Sequence, residues 1–289
     1  MRPARNDLSH AAGRPPAVDP QARRDLPERS ATDPTFASRF ECKYRIAAST
    51  VEAVRRFIQP FVRPDSFATC RPGLRYPVGS LYLDSQDLRL YHQTVAGEKQ
   101  RFKLRVRTYS DDPGSRAFFE VKQKANNVVH KRRAGLTREQ AAAVLDQRPL
   151  DFLDDLAPGR RDDLQFFNHH AGLVSARPVI RVRYMREAYE AIGREPARVT
   201  LDSELMHAVT LGGNLSHADG AWVATPLDGV ILEIKFTERF PWWIQELVRA
   251  FGLRQQSVPK YVLSLDHVLE TGRRSGLSLA GLTLPPAGA

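Results

Sequence analysis

Between residues 101 and 107 the chain alternates without a break: Arg101, Lys103, Arg105 and Arg107 are interleaved with Phe102, Leu104 and Val106. Side chains of a strand project to opposite faces with period two, so this stretch predicts a strand with cations on one face and apolar groups on the other. The same period places Glu120, Lys122 and Lys124 together, and sets Glu233 and Lys235 opposite Leu232, Ile234 and Phe236. Like charges this close repel unless an anion lies among them. The pattern therefore points to a sheet with one anion-seeking face, and closing such a sheet into a barrel would turn that face into a lumen.

The remaining pattern alternates strands and helices irregularly. Strands are predicted at 40–46, 80–84, 179–186, 198–204, 222–224 and 230–236, and a hairpin at 101–109 and 117–124 turns at Asp111-Asp112-Pro113-Gly114. Ser49-x-x-Glu52 and Thr137-x-x-Gln140 read as capping boxes. The first opens a helix to about residue 61, and helical patterning follows the second to about residue 170. Short helices are expected at 87–94 and 260–270, and another begins near Pro241 and stops at Gly252. Hairpins outnumber crossovers, which gives an α+β class with a mainly antiparallel sheet.

Residues 1–34 are rich in Arg, Pro, Asp and Ala without apolar periodicity and read as a disordered segment, and 273–289 read as a flexible tail. The domain is expected at 35–272. With 289 residues and 42% hydrophobic content, the chain can bury a sizeable core. Its net charge of +10 calls for an acidic partner. Nucleic acid is disfavoured, because aromatic residues do not interleave with the basic strands as a stacking platform requires. Cys42 and Cys70 are too few for a disulfide framework or a thiolate zinc site and read as buried thiols. No stretch approaches the roughly 20 apolar residues of a membrane span, and the N-terminus lacks a signal-peptide core, so a cytoplasmic location is expected.

Nine segments in order resemble one known family: Arg39-Phe-Glu-Cys-Lys-Tyr44, Ser80-Leu-Tyr-Leu-Asp84, Leu88-Arg-Leu-Tyr91, Lys103-Leu-Arg-Val-Arg-Thr-Tyr109, Phe119-Glu-Val-Lys122, Arg183-Tyr-Met-Arg-Glu-Ala-Tyr189, Arg198-Val-Thr-Leu-Asp202, Leu232-Glu-Ile-Lys-Phe236 and Pro259-Lys-Tyr261. Together they are similar to the VTC domain, the vacuolar transporter chaperone type of polyphosphate polymerase, within the triphosphate-tunnel, CYTH-like superfamily. The resemblance implies a closed eight-stranded antiparallel β-barrel with flanking helices, whose lumen holds a triphosphate and a metal, Mn2+ or Mg2+. It implies catalytic roles for Arg105, Arg107, Lys122 and Arg186, and substrate contacts for Lys43, Lys103, Tyr184 and Lys260. The metal-holding carboxylate would be Glu233, with Glu120 and Glu41 as helpers. ATP and polyphosphate are the implied ligands, and a membrane partner is compatible with the family.

Residue chemistry agrees with phosphoryl transfer, whose transition state spreads negative charge over several oxygens and needs fixed cations. Two departures bear on the reaction. Hydrolytic members of the superfamily carry Glu-x-Glu-x-Lys on the first strand, whereas this chain has Arg39, and some family members carry a second lysine where this chain has Ser257. The resulting expectation is a metal-dependent polyphosphate polymerase that moves the γ-phosphoryl group of ATP onto a growing chain. The alternatives are an inorganic triphosphatase or polyphosphatase, and a non-catalytic polyphosphate or nucleotide sensor. Elsewhere, His169-His170 reads as solvated at a helix end, Trp242-Trp243 as a helix anchor, and Asp202 equally as a salt-bridge partner or a substrate contact.

Overall fold

The computed structural model describes residues 39–275 apart from 127, 194 and 238, so the expected N-terminal segment 1–34 and residues 276–289 of the expected tail lie outside the described residues. The strands are β1 (Arg39–Ile46), β2 (Val62–Pro64), β3 (Arg75–Asp84), β4 (Gln100–Thr108), β5 (Ala117–Ala125), β6 (Val128–Leu136), β7 (Arg177–Ala191), β8 (Ala197–Val209), β9 (Val223–Ala224) and β10 (Val230–Thr237). The helices are α1 (Val51–Ile58), α2 (Ser66–Thr69), α3 (Arg89–Val95), α4 (Arg138–Leu145), α5 (Pro158–Leu173), α6 (Trp242–Ala250) and α7 (Lys260–Ser275). The last helix extends into the tail that the sequence pattern predicts to be flexible.

All ten strands form one antiparallel sheet, ordered β1-β10-β8-β7-β3-β4-β5-β6, with β2 added to β7 and β9 to β8. The α+β class holds, but the closed eight-stranded barrel does not: among the described residues the end strands β1 and β6 do not pair. The free edge of β1 is taken instead by the segment before α7, where Gln255 bridges Tyr44 and the Gln256 amide donates to the Lys43 carbonyl at 2.9 Å. The sheet still curls strongly, since Lys122 of β5 reaches Glu41 of β1 at 3.2 Å although five strands separate them along the path. It is an open trough with side chains bridging its walls.

Apolar packing holds the trough from outside and from within. On one outer flank, Val54 and Ile58 of α1 and Trp243, Ile244 and Leu247 of α6 bury themselves with Val199, Leu201, Leu232 and Ile234 of the sheet. On the other, Leu164 and Phe167 of α5 pack with Leu104, Val106, Phe119 and Val121. Burying each such side chain is worth about 1.5–3 kcal/mol. The surprise lies inside: Tyr261, Val262, Leu265 and Val268 of α7 join Tyr76, Val78, Tyr82 and Val182, so α7 covers part of the concave face. Tyr261 stacks on Tyr82 at 4.8 Å and donates to Asp84 at 2.7 Å, which also accepts the Leu90 and Tyr91 amides at the start of α3.

Several local expectations change with the structure. The Thr137 capping box forms with both reciprocal bonds, whereas Ser49 does not cap α1 and Glu52 pairs with Arg55 at 2.9 Å instead. Cys70 is exposed rather than buried. His170 is buried, its Nδ1 2.9 Å from the Phe166 carbonyl oxygen, because α5 turns this ring onto Phe102 rather than into water. Of the tryptophan pair, Trp243 anchors α6 on Phe61 while Trp242 remains exposed.

Candidate active site on the concave face

Strand register decides which charges meet. Lys43 lies opposite Glu233, and Glu41 opposite Lys235, in the β1–β10 ladder. Arg186 lies opposite Asp202 between β7 and β8, and Lys103 opposite Lys122 and Arg105 opposite Glu120 between β4 and β5. Directly opposed residues share a face, and the curl then brings these ladders together as three adjoining clusters.

The first cluster is centred on Asp202. Arg186 grips its carboxylate with two prongs, Nε to Oδ1 at 2.6 Å and Nη2 to Oδ2 at 2.7 Å, and Lys260 at the start of α7 reaches Oδ2 at 2.7 Å. Tyr184 places its ring 5.3 Å from the Arg186 guanidinium and 4.6 Å from the Lys260 ammonium, a cation–π position for both. Burial raises the cost of ionising Asp202, but Arg186 and Lys260 outweigh it and hold the carboxyl below the ordinary aspartate range. Burial disfavours the charge on Arg186, but Asp202 and then the nearby Glu233 outweigh it and hold the guanidinium well above its ordinary range.

The second cluster contains two carboxylates. Lys43 stands between them, 2.8 Å from Glu41 and 3.7 Å from Glu233; Lys122 holds the other Glu41 oxygen at 3.2 Å, and Lys235 pairs with Glu233. Burial and the neighbouring Glu233 push Glu41 up, yet Lys235, Lys43 and Lys122 bring it down to about 2. Both are anionic at neutral pH. Beside Glu233, the register partner Thr200 has a buried hydroxyl without a hydrogen-bond partner among the described residues.

Glu120 is the centre of the third. It is almost wholly buried and touched by Arg105, Arg107, Lys131 and Arg133. Burial disfavours its charge, but these cations overcome that and hold the carboxyl far below the usual range. Next to it, Lys103 loses part of its proton affinity to burial and then to Lys43, Lys122, Arg105 and Arg101, which bring it down to about 7. Burial raises the Tyr109 phenol, but Arg107, Arg133 and Lys131 pull it to about 8.

The structure thus brings Lys43, Lys103, Arg105, Arg107, Lys122, Tyr184, Arg186, Lys260, Glu41, Glu120 and Glu233 onto one concave face. Lys131 and Arg133 on β6 and Thr200 on β8 join them and are absent from the sequence-based set. On β6 the period of Lys131 and Arg133 is interrupted in the sequence by the charged Arg132 between them. Among the described residues no group of three or more His, Cys, Asp or Glu side chains is arranged to hold a metal ion. The oxygen donors that lie nearest one another on this face are the Glu41 and Glu233 carboxylates, both beside Lys43, and the Thr200 hydroxyl opposite Glu233. Mg2+ and similar ions are commonly held by one or two carboxylates, with substrate phosphates and water completing the shell.

Fold and site define a curled antiparallel sheet whose concave face is a preformed cationic trough set with carboxylates. The VTC domain family matches residues 38–269, and the chain belongs to that family. Vacuolar transporter chaperone complex subunit 4 of Trypanosoma cruzi (strain CL Brener) is 24% identical over 233 residues, a match covering 68% of this chain and 29% of that relative. The chain therefore spans less than a third of that relative's length. Among solved structures, a Bacillus halodurans protein provisionally described as an adenylate cyclase aligns with a TM-score of 0.41 and 16% identity, covering 76% of this chain and 92% of its own. A Pyrococcus horikoshii OT3 protein aligns with a TM-score of 0.39 and 14% identity, covering 83% and 99%. Among the described residues no helix is long and apolar enough to cross a membrane.

Proposed function

We propose that this chain is a metal-dependent phosphotransferase that moves the γ-phosphoryl group of ATP onto the end of a polyphosphate chain lying in the trough. The observation that carries this reading is the meeting of Arg105, Arg107, Lys122, Lys43, Arg186 and Lys260 with two ionised carboxylates on one face. Family membership and the likeness to a vacuolar transporter chaperone subunit support it.

In this reading the terminal oxygen of the chain attacks the γ-phosphorus, the bond from that phosphorus to the bridging β–γ oxygen breaks, and ADP leaves. The nucleophile is already anionic, so the protein need not supply a strong base. Its task is to hold two mutually repelling anions in line, which the guanidinium forks of Arg105 and Arg107 and the ammonium groups of Lys43 and Lys122 do by neutralising phosphate oxygens. Lys260, seated on Asp202, would contact the nucleotide or the chain at the end covered by α7. Glu233 and Glu41 would hold Mn2+ or Mg2+, which supplies further charge neutralisation on the transferred group.

The test is to incubate pure protein with ATP and Mn2+ and resolve the products on a gel. A ladder of long polyphosphate supports the polymerase. Orthophosphate release without chain growth would turn the reading toward a triphosphatase, and tight triphosphate binding without turnover toward a sensor. Location and any membrane partner belong to the same proposal, with the catalytic trough facing the compartment that supplies ATP.

A further inference from the structure

The inner faces of β4, β5 and β6 form rows fixed by register: Arg105, Glu120 and Arg133 in one, Lys103, Lys122 and Lys131 in the next. Glu120 is the one carboxylate that these three strands contribute to that face, among Arg101, Lys103, Arg105, Arg107, Lys122, Lys124, Lys131 and Arg133. Its oxygens are divided between opposite sides. Oε2 lies 2.7 Å from Arg105 Nε and 3.8 Å from Arg107 Nη1, while Oε1 lies 2.6 Å from Lys131 Nζ and 3.5 Å from Arg133 Nε. Arg133 is further fixed by its guanidinium, 3.5 Å from the centre of the Phe118 ring.

A guanidinium held at Nε keeps its two terminal nitrogens for a second anion, the geometry that suits phosphate. Among the described residues, the one other hydrogen bond of Arg105 is a long 3.5 Å approach from Nη1 to the Tyr82 hydroxyl, and the buried Arg107 Nε has no hydrogen-bond partner. Four cationic side chains crowd the Glu120 carboxylate, against two each for Glu41 and Glu233, which makes it the poorest metal ligand of the three.

We infer that Glu120 is a positioning residue: its carboxylate fixes Arg105, Arg107, Lys131 and Arg133 as a preformed seat for phosphate and does not bind the metal. The inference rests on the reading of the trough as a polyphosphate site. Cations fixed before the anion arrives need no reorganisation when it binds, which is the advantage of spending one buried carboxylate on four of them.

The experiment compares wild type with Glu120→Gln and Glu120→Asp by titration calorimetry with inorganic triphosphate in the absence of metal. Binding of Mn2+ to each triphosphate complex is followed separately through the resonance signal of the free ion, and the fold is checked by circular dichroism. Positioning predicts that Glu120→Gln weakens triphosphate binding about tenfold, the worth of one charged hydrogen bond, although the variant makes the trough more positive. Mn2+ binding should stay within about twofold of wild type, since no ligand is lost. Tighter triphosphate binding would mean that Glu120 merely dilutes positive charge, and would overturn the inference. Weakened Mn2+ binding with unchanged metal-free triphosphate affinity would overturn it in favour of a metal ligand. If Glu120→Gln does not fold, Glu120→Asp decides: it keeps the charge but withdraws the carboxylate by one methylene, so wild-type affinity in that variant also overturns the inference. Wild-type protein that fails to bind triphosphate would sink the underlying reading of the trough, and the inference with it.

Discussion

Arg186 and Asp202 face each other across β7 and β8 in a two-pronged ion pair with separations of 2.6 and 2.7 Å, both side chains buried. The same Asp202 carboxylate takes Lys260 at 2.7 Å, so one acid ties two walls of the trough to the first residue of α7. A buried pair contributes little net stability relative to an apolar substitute, yet breaking it from one side leaves an uncompensated charge. Asp202→Asn should therefore lower unfolding free energy by about 3–5 kcal/mol. Urea denaturation followed by fluorescence measures this, and a loss below about 1 kcal/mol would mean that the pair is already solvated.

Arg105 and Lys122 stand in adjoining rows but differ in exposure. Arg105 is held inside against Glu120, whereas the Lys122 side chain is about one-third exposed (35%). Removing a buried charged donor to triphosphate should cost about 1.5–3 kcal/mol in Arg105→Ala. An ammonium group near solvent is worth at most about 1 kcal/mol, so Lys122→Ala should bind only a few-fold more weakly. Calorimetry at two salt concentrations separates them further: the wild-type affinity should fall steeply with salt, and Lys122→Ala should show the shallower slope because it has lost a screened interaction. Equal losses in both variants would contradict the exposure argument.

These residues also show why part of the site was readable in advance. Arg105 and Arg107 announce their face because every intervening residue is apolar, and the two arms of the β10–β1 ladder do the same for Lys43 and Glu233. On β6 the run His130-Lys131-Arg132-Arg133 hides the period, because outward Arg132 is also charged; it pairs with Asp163 at 2.7 Å and lies over the Phe166 ring. A helix contact that makes an arginine useful on the outer face is invisible without the third dimension. On β7 the same failure is larger. Arg181 and Arg183 sit on the opposite face from Tyr184 and Arg186 beyond a register shift, their charges absorbed by the carbonyls of Ser216, His217 and Asp219 and by the Trp222 ring. The apolar stripe of α7 was legible, but not that it would pack inside the trough, because an amphipathic helix does not state which face of a sheet it will cover.

Lys103 provides a pH test with a definite sign. Burial and four neighbouring cations bring its ammonium down to about 7, so at pH 8 it is largely neutral in the empty trough. A bound polyanion favours the protonated form and raises the value again, so binding must draw a proton from solution. Affinity for triphosphate should fall as pH rises through about 7, after correction for the ligand's own ionisation, and Lys103→Met should flatten that dependence. Calorimetry at pH 8 in buffers of different ionisation enthalpy counts the protons directly. Equal proton uptake by wild type and Lys103→Met would assign the linkage to another group.

Glu233→Gln separates binding from chemistry. The substitution keeps the side chain's shape beside Thr200 and Lys43 but removes the charge that would hold a divalent cation with Glu41. The cationic clusters around Asp202 and Glu120 keep their own ion pairs without it, so metal-free triphosphate affinity should change by less than about threefold and should tend upward, because one negative charge has left the trough. Mn2+-dependent turnover should drop by at least about 100-fold, since charge neutralisation on the transferred phosphoryl group is lost where it matters most. Single-turnover assays with ATP at saturating polyphosphate read the second quantity independently of product release. Turnover that survives Glu233→Gln while Glu41→Gln abolishes it would move the metal to the β1 carboxylate; survival in both variants would remove these two carboxylates from the reaction.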